Sequence, residues 1–300
     1  MRSAPIAFFL PTITVLVAGN NSSCFCIEQF SSNRNSFSLS DCTKESRSQQ
    51  LSIHHREANG IGYNIGYSSL DLFFSLNNSS SFYPFTELQG HIFNDGTWAA
   101  NGGVGFRFLM APKRLVVGLN AFYDYREGHH TSFFNQTGAG LELLGTKWDL
   151  RLNGYIPVGQ TQKKYFETKN AITDKYCEYV MGGADLELGG QIFRTSYVDM
   201  HSTFGGYYFS GISSKARGGF LRLKSHFTRF FHLEGQVSYD SLFKTIFQLE
   251  LALNLPFGAR REIYKHLPCS SCLYMSERLV EPVSRFEIIV DDTFKKKSLQ

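Results

Sequence analysis

The run Trp98-Ala-Ala-Asn-Gly-Gly-Val-Gly-Phe-Arg-Phe-Leu-Met110 is followed, after Ala111-Pro112-Lys113, by Leu115-Val-Val-Gly-Leu-Asn-Ala-Phe-Tyr-Asp-Tyr125. A polar loop with His129-His130 leads to Thr137-Gly-Ala-Gly-Leu-Glu-Leu-Leu144, and a Gly145-Thr146 turn to Lys147-Trp-Asp-Leu-Arg-Leu-Asn-Gly-Tyr-Ile-Pro-Val158. These runs decide the fold. Successive strand side chains point to opposite faces, so Trp148, Leu150, Leu152 and Ile156 share one face and Asp149, Arg151 and Asn153 the other. The second run divides in the same way, with Leu115, Val117, Leu119, Ala121 and Tyr123 opposed to Gly118, Asn120 and Asp124. Soluble strands average roughly 5–6 residues. Runs twice that long, joined by tight turns, suit strands tilted across a bilayer, with the apolar face toward lipid and the charged face inward.

The strings Ala100-Asn-Gly-Gly-Val-Gly-Phe-Arg-Phe-Leu109, Gly118-Leu-Asn-Ala-Phe-Tyr-Asp-Tyr125, Gly138-Ala-Gly-Leu-Glu142 and Asp149-Leu-Arg-Leu-Asn-Gly-Tyr155 keep their order over four consecutive strands. Together they resemble the β-domain of the inverse autotransporters, the intimin and invasin family of bacterial outer-membrane adhesins. The resemblance implies an outer-membrane translocator barrel. Arg278-Leu-Val-Glu-Pro-Val-Ser-Arg-Phe-Glu-Ile-Ile-Val290 resembles the segment that leads from the family's barrel to its exported repeats. The sequence stops ten residues later, so the expectation is a barrel without an adhesin passenger.

The rest of the chain is read around this barrel. Met1-Arg2, the apolar stretch Ile6 to Val17 and the small pair Ala18-Gly19 suggest a signal peptide over residues 1–19. Residues 20–58, rich in Ser and Asn, are expected to be a flexible periplasmic segment; its His54-His55 pair has residue types for a metal site, but two adjacent histidines in a polar segment are more often simply solvated. The barrel is assigned to residues 59–257 and a linker-like tail, placed in the lumen, to 258–300. The fold class is thus all-β, an up-and-down antiparallel barrel of twelve transmembrane strands, an even number as such barrels require. The first strand is expected at Ile61–Tyr67, a tight turn at Ser68-Ser69, and a long loop from Gly159 to Lys175. The last strand, ending at Phe257, alternates apolar residues as the outer-membrane assembly machinery's signal does.

Lumen-lining residues follow from the polar faces: Arg107, Asp124, Glu142, Asp149, Arg151, Asp185, Glu187, Arg222, Lys224, Glu234 and Glu250. They are expected to satisfy one another and stiffen the wall. If the lumen were open, the excess of acids would favour cations. A net charge of +4 without a dense basic stripe argues against nucleic acid. No stretch of ~20 apolar residues could form a spanning helix. Nothing in the sequence calls for a catalytic centre, cofactor or metal. Ser132 near His130 and Glu127 has residue types for nucleophilic chemistry, without a pattern that makes them converge. Cys269 and Cys272 are the patterned cysteine pair, expected to be a disulfide in an exported protein. The partners implied are outer-membrane lipid and the assembly machinery; no surface partner is named. Two further readings share the pattern: a narrow channel gated by the tail, and a soluble secreted β-sheet protein that binds a ligand.

Overall fold

A computed structural model describes residues 49–75, 82–110, 115–128, 132–169, 172–195, 197–227, 230–257 and 278–296. The strands in chain order are β1 (Gln49–Glu57), β2 (Tyr67–Ser75), β3 (Phe82–Phe93), β4 (Trp98–Met110), β5 (Leu115–Glu127), β6 (Phe133–Leu144) and β7 (Trp148–Val158). They continue with β8 (Gln162–Lys169), β9 (Ile172–Val180), β10 (Gly182–Arg194), β11 (Asp199–Ser210), β12 (Lys215–His226), β13 (Phe231–Asp240), β14 (Lys244–Phe257) and β15 (Asp291–Lys296). Twelve of them close an antiparallel barrel in the order β1, β14, β13, β12, β11, β10, β7, β6, β5, β4, β3, β2. The other three form a small sheet, β15-β9-β8. No described helix is long and apolar enough to cross a membrane.

Alternation sorts the side chains as the sequence pattern requires. Val104, Ile156, Phe247 and Leu251 point outward and are exposed, while Arg107, Asp124, Glu142 and Asp149 are fully buried inside. An apolar exterior around a charged interior inverts the soluble arrangement and matches a lipid-facing wall. Aromatic clusters mark both rims. Trp98, Tyr125 and Phe133 stack at one, with centroids 4.5 and 5.9 Å apart, and Phe82, Phe106 and Phe108 meet at the other. These rings occupy the two girdle levels of an outer-membrane barrel.

Three expectations change. The first barrel strand is β1, within the segment read as flexible, and not Ile61–Tyr67. Its Leu51 and Ile53 are the only aliphatic residues on its outer face, too weak a signal to stand out among polar neighbours. A sheet in hydrocarbon nevertheless has to pair every edge, and β1 joins β14 from Gln49↔Phe257 to Glu57↔Leu249. Residues 58–66 instead form an inward-folded connection, stitched by a Gly60–Tyr63 bridge. Ser68 and Ser69 lie inside β2, not in a turn. Finally, the stretch read as a long loop contains the β8–β9 hairpin, whose register runs from Gln162↔Tyr179 to Lys169↔Ile172. The signal peptide, residues 20–48 and the Cys269–Cys272 pair lie outside the described residues.

The sidedness is testable. Leu251→Arg puts a charge in the apolar band and should cost ~2–4 kcal/mol in a refolding titration. Gln248→Arg, on the open side of the lumen, should be tolerated. Equal losses would contradict the assignment of faces.

Candidate functional site

The site is the lumen with the chain's own tail inside it. The strand ends at Gln49 and Phe257 define one mouth of the barrel, the terminal mouth; the β8–β9 hairpin rises from the other. Arg278–Val290 runs along the lumen between them, touching the wall at every level.

Near the terminal mouth, Arg107 is fully buried and grips Glu142 through two nitrogens at 3.0–3.2 Å. The same guanidinium donates to the carbonyls of Leu279 and Glu281, at 3.2 and 2.5 Å. Glu281 is held by Arg151 at 2.8 Å and by Arg278 at 2.6 Å. Asp149 receives Arg151, His201 at 2.9 Å and Arg278 at 3.3 Å. Wall and tail thus neutralise each other. Gly118 makes this grip possible: a Cβ there would lie 2.7 Å from Glu142 Oε2.

At mid-height, Arg285 forms a two-pronged pair with Asp124, one contact being 2.8 Å, and stacks over Phe122. Ser284 donates to Glu187 at 3.1 Å and accepts from Arg222 at 3.0 Å. The Val283 amide donates to Glu87 at 3.1 Å. Phe286 enters a cage of Tyr155, Tyr207, Phe209 and Phe220, with centroids 5.4–6.3 Å away. Its amide donates to the Tyr155 hydroxyl at 2.8 Å, which in turn donates to Asp185. Such ring pairs add ~0.5–1.5 kcal/mol each beyond area burial, so Phe286 anchors the tail laterally.

At the hairpin mouth, Tyr67 donates to Glu287 at 2.5 Å, and Ile288 packs with Tyr63, Tyr67 and Phe93. Arg126 donates to the carbonyls of Ile289 at 2.5 Å and Gly62 at 2.8 Å and pairs with Asp291 at 3.3 Å. Gly62 has φ +82°, and a Cβ there would sit 2.7 Å from the backbone of Val290 and Asp291. Only glycine lets the tail pass under the β1–β2 connection. The Met181 amide bonds Val290, after which β15 adds to β9 from Asp291↔Val180 to Lys296↔Lys175.

Besides β2 to β7, the tail touches β10, β11 and β12 through Ser284 and Phe286. On the opposite wall Arg56 bridges Glu250 and Glu234, and Lys224 reaches Glu234 at 3.2 Å. Between that wall and the tail lies a cavity of about 590 Å³, with Arg194, Tyr197 and Asn254 on the terminal side and Ile61, Tyr63 and Ile288 toward the hairpin.

Of the residues read from the polar faces, Arg107, Asp124, Glu142, Asp149, Arg151, Asp185, Glu187, Glu234 and Glu250 are buried, and Arg222 and Lys224 half-buried. Arg107, Glu142, Asp149 and Arg151 meet around Glu281. Arg222, Lys224, Glu234 and Glu250 line the cavity with Arg56, and Glu187 pairs with Arg222 behind them. Asp124 and Asp185 stand apart, serving Arg285 and Tyr155. The sequence reading missed His54, Arg56 and Arg126. The first two belonged to a strand taken for flexible chain; Arg126 ends a strand whose polar face was otherwise recognised. His54 is buried and His55 exposed, because adjacent strand residues face opposite ways. Ser132 is buried with its hydroxyl donating to Glu178 at 2.5 Å; His130 lies outside the described residues.

A closed, lipid-facing barrel with a polar lumen threaded by its own chain defines a bacterial outer-membrane β-barrel of translocator type. The chain belongs to the inverse autotransporter β-domain family, whose model matches residues 27–203. No curated protein matches its sequence significantly. Among solved structures, a membrane protein from work on in-meso crystallization is 15% identical, covers 82% of this chain and 100% of its own, and superposes with a TM-score of 0.60. An outer-membrane channel from Pseudomonas putida F1 (11% identity, 70% and 96% covered, TM-score 0.48) is also similar. So is the β-domain of the Bordetella autotransporter BrkA (12% identity, 70% and 100% covered, TM-score 0.38).

Two expectations follow. Arg285→Ala strands buried Asp124, a change worth about 3–5 kcal/mol for a buried pair. Hydrogen-exchange protection of the tail should fall accordingly while the barrel strands keep theirs; full protection of the tail would show that Asp124 does not hold it. Beyond the barrel strands, burial pushes Asp291 up to about 7, reinforced by Glu178 and Asp292 and opposed by Arg126. The docked form therefore binds a proton that the undocked one, at its ordinary ~3.9, has lost. Docking of β15 is strongest below that value and weakens as pH rises through 7. Amide protection at Val290–Asp292, corrected for intrinsic exchange, should drop from pH 6 to 8, and Asp291→Asn should flatten the profile.

Proposed function

We propose that this barrel conducts its own C-terminal segment from the periplasm to the cell surface and then retains that segment as a plug, without catalysing a reaction. The single observation that carries the reading is direction: the tail passes the terminal mouth at Leu279 and leaves at the hairpin mouth as β15. The hairpin mouth carries the two longest connections, 58–66 and 159–181, and long connections of bacterial barrels face outward. Chain after Val290 is then outside. Delivery of the barrel to the membrane would use the general assembly machinery, for which the apolar face of β14 ending at Phe257 is a suitable signal.

A second reading, a narrow tail-gated channel, is favoured by the 590 Å³ cavity beside the tail. Two measurements separate them. Thr293, exposed on β15, replaced by Cys should react with an impermeant maleimide on intact cells above the parent's background. No added labelling would refute export of the tail. In planar bilayers the full chain should conduct poorly, and ending it at Phe257 should raise conductance severalfold. A full chain that already conducts as well as the truncated one would favour the channel.

A further inference from the structure

We infer that the lumen holds a transition-metal site, of the kind that takes Zn(II), built from His54 of β1, His91 of β3 and Glu287 of the tail. One ligand atom from each lies within 4.8 Å of the other two. His54 and His91 are buried, and Glu287 joins them from the threaded segment. Nothing in the fold requires two imidazoles and a carboxylate to meet here, since Arg and Glu pairs neutralise the lumen elsewhere.

The strand between the two histidines orients all three ligands. β2 directs Tyr67, Ser69 and Asp71 inward at alternate positions. Asp71 takes a hydrogen bond from His54 Nδ1, at 3.1 Å. Ser69 Oγ lies 2.5 Å from His91 Nδ1, and the Tyr67 hydroxyl donates to Glu287 Oε1 at 2.5 Å. Each ligand thus has one outer partner on one strand. The Asp71 carboxylate, an acceptor only, selects the His54 tautomer with hydrogen on Nδ1, and the Ser69 hydroxyl is placed to accept from His91 Nδ1 in the same tautomer, the usual support of a metal-binding histidine.

The inward nitrogens are short of donors. His54 Nε2 is buried without a hydrogen-bond partner and lies 3.5 Å from Glu287 Oε1. The Asn101 amide is near three acceptors: Gln89 Oε1 at 2.9 Å, the Glu287 carbonyl at 2.7 Å and His91 Nε2 at 3.0 Å. It has two hydrogens. If the two shorter contacts are made, His91 Nε2 is left with its lone pair unused. With Asn101 turned to its two shorter contacts, two imidazole nitrogens and a carboxylate would face one point, a donor set that suits a borderline divalent ion with water in a fourth position. Ligand atoms of a tetrahedral zinc site lie roughly 3.3 Å apart, given bonds near 2.0–2.1 Å. Closing the triangle asks for side-chain movements of about an ångström. His54 and Glu287 border the cavity, which provides the way in. A bound ion would join the tail to two barrel strands.

The test uses the tag-free full chain, refolded in detergent and stripped with chelator. Zn(II) is titrated calorimetrically and Co(II) by visible absorption. The parent should bind one equivalent, with intense Co(II) bands of a four-coordinate site that Zn(II) displaces. His91→Ala and Glu287→Gln should abolish those bands. Asp71→Asn should weaken affinity 10–100-fold, the usual cost of losing an outer partner, while heat-modifiable gel migration stays that of a folded barrel. Absence of saturable binding in the parent overturns the proposal irrespective of how the variants fold; it would leave His54 as an imidazolium between Asp71 and Glu287. Equal binding in parent and folded variants would overturn it as well, by placing the ion elsewhere.

Discussion

Hydrocarbon offers no water to an unpaired strand edge, and the pairing of β1 with β14 removes the last such edges from this sheet. The remainder depends on that seam. Once the ring is closed, alternation forces one set of side chains into lipid and the other into the lumen. The chain supplies hydrophobic residues for the first and ionisable ones for the second. Closure also recruits Ser52, His54 and Arg56, which have no structural meaning in an isolated polar stretch but become part of a buried wall.

A charged lumen creates its own demand. Buried ions are costly unless paired, and the wall does not pair itself completely: Asp124 finds its cation in Arg285, and the carboxylate accepting the Val283 amide is Glu87. The tail answers these needs in order along its length, with Arg278 and Glu281, then Ser284 and Arg285, then Glu287. Its apolar residues alternate with these and fill the pockets between. Tail and wall are therefore complementary in charge, each supplying partners the other lacks.

Most of the barrel was legible in the sequence, because long alternating runs of the kind seen from Trp98 to Val158 have few other physical solutions. The expected count of twelve agrees with the closed ring, although one of the twelve was misplaced: Ile61–Tyr67 alternates convincingly but folds inward as a connection. β1 was illegible locally, since its place is fixed by the needs of β14 and β2. The β8–β9 hairpin was hidden for a related reason. Its residues face no lipid, so they carry no barrel pattern. Of the site, the wall residues could be read from alternation. Their partners could not, because spacing along a strand does not say what fills the space inside.

The register of β15 on β9 has a mechanical meaning. From Asp291↔Val180 to Lys296↔Lys175 the two strands lie antiparallel along the direction in which the tail leaves the barrel. Their hydrogen bonds run across that direction. A pull on the chain's outer end therefore loads the ladder in shear, with all its bonds sharing the force, instead of peeling them singly. Behind it, Phe286 in its aromatic cage and the glycine-gated passage at Gly62 resist the same displacement. The small sheet acts as a clamp, passing tension on the chain beyond Lys296 to the barrel wall before the lumen segment is strained.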